Sequence, residues 1–229
     1  MAVRRPVAAC AALVAAVAVA ACVRVTEGVP VAGAPLNGSA APSTIPGPPR
    51  FDPGPPGVVP TSRVALPPGG VTCAPAPGPG TTVSAEVADP KAPKLVVPVP
   101  ADWTSATGSG DVAVTMDGPD GRTASVTIAK TRLDAEEAFR AHTDRLVDKG
   151  AVSTVSIMPA ELCDYSGQKL VGAWSDTAAN SVEFTDRIVH VWTAAENYLV
   201  AIHVEAPTGA RPDDAATAML TDDVELHVP

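Results

Sequence analysis

The chain has 229 residues, a net charge of −9 and only 3% aromatic side chains. Of its 25 prolines, 19 fall between Pro30 and Pro100, where no apolar period is sustained. The compact part is thereby confined to residues 94–229, long enough for one core without metal or further crosslinks. Those residues carry 21 acids against 10 bases, a balance that argues against nucleic acid or an anionic membrane surface as partner. Four cysteines, with no CxxC and no Cys/His cluster, argue against a zinc site.

Residues 1–22 read MAVRRPVAACAALVAAVAVAAC. Arg4 and Arg5 form a basic start, and the apolar run Pro6–Ala21 has the length of a secretory signal. It is short for a membrane-spanning helix, which needs about 20 apolar residues. The run ends Val19-Ala20-Ala21-Cys22, an aliphatic residue and two small ones before a cysteine. This resembles a bacterial lipobox. It implies cleavage after residue 21, a diacylglyceryl group on Cys22, and tethering on the extracytoplasmic face of the cell membrane. A non-cleaved anchor, or ordinary cleavage beside an incidental cysteine, is the alternative.

Residues 22–93 read as a proline-rich linker. Proline fixes φ and removes a donor, and glycine adds entropy to lose, so no packed core is expected there. At about 3.1 Å per residue, an extended polyproline spacer between Cys22 and Cys73 reaches roughly 160 Å. Once Cys10 leaves with the signal, Cys73 and Cys163 are the remaining thiols in an oxidising compartment. A disulfide between them would close a long loop, stabilising by roughly 4–5 kcal/mol in the chain-entropy model. The other reading, a reactive thiol, is opposed by Glu161 and Asp164 beside Cys163.

The domain opens with Lys94–Val99, a short strand whose Pro98 suits a sheet edge. Asp111–Met116 and Arg122–Lys130 alternate in polarity around Asp117-Gly118-Pro119-Asp120-Gly121, which is turn chemistry and predicts a hairpin. A calcium loop would need more ligands and a downstream glutamate. Leu133–Lys149 reads as a helix, with Asp134 and Glu137 as a capping box and Gly150 as the stop. Ala135, Ala138, Phe139, His142 and Leu146 share its apolar face, so His142 reads as a packed or rim histidine. Strands follow at Val152–Ile157, Gln168–Ser175, Val182–Thr193 and Tyr198–Ala206. The last is apolar on both faces and is expected at the centre of the sheet. A second helix over Pro212–Leu220 begins with Pro212-Asp213-Asp214, and a last short strand is expected within Asp223–Val228. Hairpin spacings between these elements imply an α+β domain, an antiparallel sheet covered by helices.

The run Val97-Pro98-Val99-Pro100-Ala101-Asp102-Trp103 and the segment Ala160–Trp174 resemble the corresponding stretches of LpqN/LpqT-type actinobacterial lipoproteins. The layout is similar as well: lipobox, proline-rich tether, then this domain. The resemblance implies a PsbP-like α/β/α sandwich and an envelope location. It carries over no catalytic residues.

No GxSxG, HExxH, P-loop or GxGxxG occurs, so no catalytic residue, metal ligand or cofactor is assigned and the protein reads as a non-enzyme. His142, His190, His203 and His227 are never three or four residues apart. If the last two long strands pair around Ala195–Asn197, His190 becomes one of the nearer neighbours of His203, a pair suited to sensing pH or binding metal. The bland alternative is two half-buried strand histidines. Trp103, Trp174, Trp192, Tyr165 and Tyr198 belong to the domain, and most are expected in its core. Trp103, Trp174, Trp192 and Tyr198 are the candidates for lining an apolar groove. The expected role is that of an envelope accessory binding a lipid, a glycolipid or a membrane-protein partner. The alternatives are an adaptor docking a basic partner by its acidic surface or sheet edge, and an unrecognised hydrolase.

Overall fold

The computed structural model describes residues 54–61, the backbone of 71–73, and residues 80–229 apart from 178–179 and 212. They all lie within the compact unit Phe51–Pro229. The expected signal peptide, Cys22, most of the linker and the Cys73 side chain fall outside the described residues.

Seven antiparallel strands form the main sheet, in the order β4-β5-β6-β10-β9-β8-β7. They are β4 (Thr104–Thr107), β5 (Val112–Asp117), β6 (Thr123–Thr131), β7 (Val152–Pro159), β8 (Gly167–Ser175), β9 (Ser181–Trp192) and β10 (Asn197–Pro207). A second sheet has the order β1-β11-β3-β2, from β1 (Val71–Cys73), β11 (Glu225–His227), β3 (Lys94–Val99) and β2 (Thr81–Ala85). Two helices, α1 (Ala135–Val147) and α2 (Asp214–Asp222), complete an α+β architecture.

Helix α1 starts where its capping chemistry places it, with the Asp134 carboxylate accepting from the Glu137 amide at 2.9 Å. Its buried face of Ala135, Ala138, Phe139 and Leu146 packs on Leu170, Phe184, Ile188, Leu199 and Ala201. Burial of Phe139 and Leu146 contributes about 1.5–3 kcal/mol each. The opposite face of the sheet carries the larger core. There Val114, Met116, Val126, Ile128, Val189, Val200 and Ile202 meet Leu95, Val97, Leu226 and Leu220 from the second sheet and α2. Helix α1 therefore covers one face, and the second sheet together with α2 covers the other. The expected α+β class holds; the second sheet, which that expectation lacked, shares its face with α2.

Strand β10 is central, flanked by β6 and β9 and buried on both faces, as its apolar pattern requires. The β5–β6 hairpin turns through Asp120 and Gly121, both at positive φ. Gly118 in that turn lies under the Trp103 indole, where a Cβ would come within 2.4 Å of the ring. Pro98 does not mark an edge, because β3 pairs with both β2 and β11. It lies beyond the last β11 pair, Glu225 with Val96, where that side of the strand needs no donor.

The fold also takes in residues assigned to the linker by composition. Strand β2 zips onto β3 through Ala85 and Leu95, both fully buried. Further upstream, residues 54–61 strap across the start of β8. The Gly167 amide donates to the Gly57 carbonyl at 2.9 Å, and Gln168 Nε2 donates to the Pro56 carbonyl at 2.8 Å. Ser166 Oγ accepts from the Val59 amide and donates to the Val59 carbonyl, each at 3.0 Å. Gly57 has φ +69°, and a Cβ there would sit 1.9 Å from the Gly167 carbonyl oxygen. The domain thus begins well before residue 94.

Candidate functional site

The β9–β10 turn closes through Thr193 and Glu196, and the register that follows sets Trp192 against Asn197. His203 is therefore opposite Asp186, and His190 is opposite Leu199. The expected His190–His203 neighbourhood does not form. His190 instead faces the start of α1, where its Nε2 lies 3.0 Å from the Leu133 carbonyl and burial lowers its pKa. His227 lies on β11, near Glu225.

Asp186, with no solvent exposure, is the hub of an ionic cluster on the α1 face. His142 of α1 donates Nε2–H to Asp186 Oδ2 at 2.6 Å, and His203 donates Nδ1–H to Oδ1. The other nitrogen of His203 donates to Glu205 Oε1 at 2.6 Å, and Lys149 Nζ donates to the same oxygen at 2.7 Å. Burial opposes charge on His203, but hydrogen bonds to Asp186 and Glu205 outweigh it and raise its pKa to about 9. The same contacts, with Lys149, hold Glu205 down at about 2. Burial also opposes the charge of Asp186, yet the two imidazoles keep its carboxyl below the usual range. At neutral pH His203 is an imidazolium, so the 3.2 Å between its Nε2 and Lys149 Nζ is a like-charge contact bridged by Glu205.

Ser125 of β6 is the other cross-strand neighbour of His203, which gives a Ser-His-Asp row across three strands. The chemistry of a nucleophilic triad does not follow. A general base must be neutral and must face the hydroxyl; His203 is protonated and spends Nε2 on Glu205. The cluster cross-links α1 to the sheet. His203, Glu205 and Lys149 also line a polar cleft of about 290 Å³ with Thr115, Asp117 and Ser125.

A larger cleft, about 610 Å³, opens on the opposite face of the sheet. The strands β7–β10 supply its floor through Thr154, Ser156, Val171, Ala173, Thr185 and Ala206. The first turn of α2 supplies one wall through Asp213, Asp214 and Thr217, and Arg122 another. Asp213 caps α2, accepting from the Ala216 amide at 3.2 Å. Its volume falls within the ~300–1,000 Å³ of small-ligand sites.

The four candidate groove aromatics line neither cleft. Trp103 and Tyr198 are buried in the larger core, and Trp192 packs against it. Trp174 packs against the α1 core. Tyr198 donates its hydroxyl to Asp89 Oδ2 at 2.7 Å, which with burial raises its pKa. Tyr165 is likewise buried and donates to the Trp192 carbonyl at 2.9 Å. The indole nitrogens of Trp103 and Trp174 have no partner among the described residues. Cys163 is at positive φ beside the larger core and is not a free thiol. No His/Cys/Asp/Glu group suited to a metal ion occurs among the described residues, and none of their helices is long and apolar enough to cross a membrane.

An α+β domain whose main sheet carries one helix on one face, and a small sheet with a second helix on the other, is the class this geometry defines. No family model matches the sequence, and no curated protein does. Among solved structures the chain is similar to LpqN of Mycobacterium tuberculosis, described as involved in cell envelope biogenesis. The TM-score is 0.50 at 15% identity, covering 66% of this chain and 99% of that one. The likeness establishes an LpqN-like fold.

Proposed function

We propose that this is a non-enzymatic accessory protein of the cell envelope, anchored through a diacylglyceryl group on Cys22 at the extracytoplasmic face of the membrane. It binds an envelope ligand or a membrane-protein partner in support of assembly or transport, and the 610 Å³ cleft beside α2 is its ligand site. The observation that carries this reading is the shared fold, which extends over 99% of an envelope-biogenesis protein. The lipobox-like end of the N-terminal apolar run supports the location. A Cys73–Cys163 disulfide belongs to the same proposal, since both residues would lie in an oxidising compartment.

The test is expression of the full chain in an actinobacterial host, as wild type and as Cys22→Ala. Wild type is expected in the detergent phase with an acylated N-terminus, and the variant in the aqueous phase. Wild type recovered unacylated from the aqueous phase would overturn the anchoring.

One observation favours the adaptor as a second reading. Strand β7 is an edge of the main sheet, carries no charge, and exposes Val152, Ile157 and Met158. Natural edges are commonly blunted by charge, proline or a bulge; β7 carries a proline at its end, Pro159, and the stretch before it, left open, suits strand addition. Crosslinking from β7 in the intact envelope is expected to capture a protein if this reading holds, and nothing if the cleft alone serves.

A further inference from the structure

Arg122 is a largely buried residue whose guanidinium nitrogens keep solvent contact and have no protein partner among the described residues. It is only 6% exposed, yet among the described residues its guanidinium has neither a hydrogen bond nor an ion pair. The other buried arginine, Arg187, is paired at both terminal nitrogens, reaching Asp222 Oδ1 at 3.2 Å and the Glu161 carbonyl at 2.8 Å, with its Nε alone left without a partner among the described residues. A buried charge is normally paired, because desolvation without compensation is costly. What remains accessible of Arg122 opens into the 610 Å³ cleft, beside the first turn of α2.

The rest of the cleft narrows the ligand. Five guanidinium donors in a planar fork match a carboxylate or phosphate held by two parallel bonds. The positive end of the α2 dipole adds to that preference. The same cleft, however, carries Glu183, Asp213 and Asp214. Asp213 is committed to capping, and the Glu205 carboxylate lies on the other face with Lys149 and His203. Glu183 and Asp214 are exposed and have no partner among the described residues. A dianion would meet those carboxylates, and a neutral ligand would leave Arg122 unpaired.

Spacing adds a length. Arg122 directly precedes Thr123, whose β10 partner is Glu205; the next β10 residue, Ala206, pairs with Glu183 of β9. Two strand spacings of about 4.8 Å separate such rows by about 10 Å. Three extended residues span a similar distance, about 10 Å.

We propose that the cleft binds a short zwitterionic peptide, its terminal carboxylate clamped by Arg122 and its ammonium end received by Glu183 and Asp214. This rests on the reading of the cleft as the ligand site.

The experiment is calorimetric titration of the full chain, in detergent micelles, with tri-alanine, its C-terminal amide and its N-acetyl form. Tri-alanine is expected to bind saturably, with the amide at least about tenfold weaker, the loss typical of a charge-assisted bond. N-acetylation is expected to weaken binding by a smaller factor. Arg122→Gln should erase the difference between acid and amide, and Arg122→Lys should retain part of it. Arg122→Met should leave the melting temperature unchanged or raised, because it removes a charge with no protein partner. No saturable heat with tri-alanine, equal affinity for the amide, or discrimination that survives in Arg122→Gln would overturn the proposal. Inorganic phosphate binding more tightly than tri-alanine would overturn it too, as would a melting temperature lowered by Arg122→Met. A different ligand copurifying with the protein would leave the wider reading of the cleft intact.

Discussion

His203 of β10 stands directly opposite Asp186 of β9, and its Nδ1–H donates to a carboxylate that solvent does not reach. With His142 on the second carboxylate oxygen, the contact ties α1 to the centre of the main sheet. Removing Asp186 strands two imidazoles beside a core that was shaped around a negative charge. Asp186→Ala is expected to cost about 3–5 kcal/mol, the range for breaking a buried ion pair from one side. Urea denaturation of the full chain measures it. A loss below about 1 kcal/mol, the value of a surface pair, would contradict the role given to the cluster.

The cluster also sets the pH dependence of stability. The pKa of His203 rises on folding from 6.5 to about 9, so its contribution is complete below 6.5 and is lost as pH climbs toward 9. Glu205 falls from 4.5 to about 2, so its contribution is complete above 4.5 and is lost on acidification. His190 is lowered by burial and loses stability as pH falls below 6.5. The three together place the maximum near pH 6.5. Melting temperatures across pH 4–10 should show it, and His203→Ala should flatten the alkaline limb. An alkaline limb unchanged in that variant would show that His203 does not titrate as described.

The strap of residues 54–61 is held by hydrogen bonds that its composition does not announce. Ser166 is fully buried and makes both of its bonds to Val59. Ser166→Ala leaves those backbone groups unpaired and is expected to cost about 1–3 kcal/mol. Gly57→Ala should free the strap altogether, because its Cβ would collide with the Gly167 carbonyl. Hydrogen exchange at the Val59 and Gly167 amides reads both effects. Protection equal to wild type in Gly57→Ala would contradict the docked strap.

Reduction tests the proposed crosslink. If Cys73 and Cys163 pair, intact mass rises by about 2 Da on reduction, and Cys73→Ser destabilises by about 2–5 kcal/mol. A free thiol titrated on unreduced Cys73→Ser at position 163, and on no other variant, locates the pair. Two free thiols in the unreduced wild-type domain would exclude it.

Local chemistry was legible where a few adjacent residues decide the outcome. Asp134 with Glu137 starts α1, the Gly118–Gly121 turn closes a hairpin, and the two-sided apolarity of Tyr198–Val204 puts β10 at the centre. What depends on distant pairing was not. Strand β4 is Thr-Ser-Ala-Thr and fully exposed, so it has no apolar period to betray it. Strand β2 and the strap lie in proline-rich surroundings and are ordered by partners 10 or more and more than 100 residues away. Asp186 was hidden because the β9–β10 register, set at Thr193–Glu196, decides whether His203 meets an acid or a histidine. Arg122 gives no sign at all in sequence; its burial arises where the start of β6 meets the end of β10. The aromatic residues of the domain behave as their scarcity predicts: among the described residues the two cores take them up, and none is left for a groove.

Native mass spectrometry of the full chain, released from detergent micelles after expression in an actinobacterial host, bears most directly on the envelope-binding role. A diacylglyceryl-sized mass on the N-terminal peptide is expected, together with a second discrete mass that leaves on denaturation and is absent or reduced in a variant with the cleft blocked by Thr185→Trp. An unacylated chain that carries no bound mass, and captures no partner when crosslinked in the intact envelope, would contradict the account.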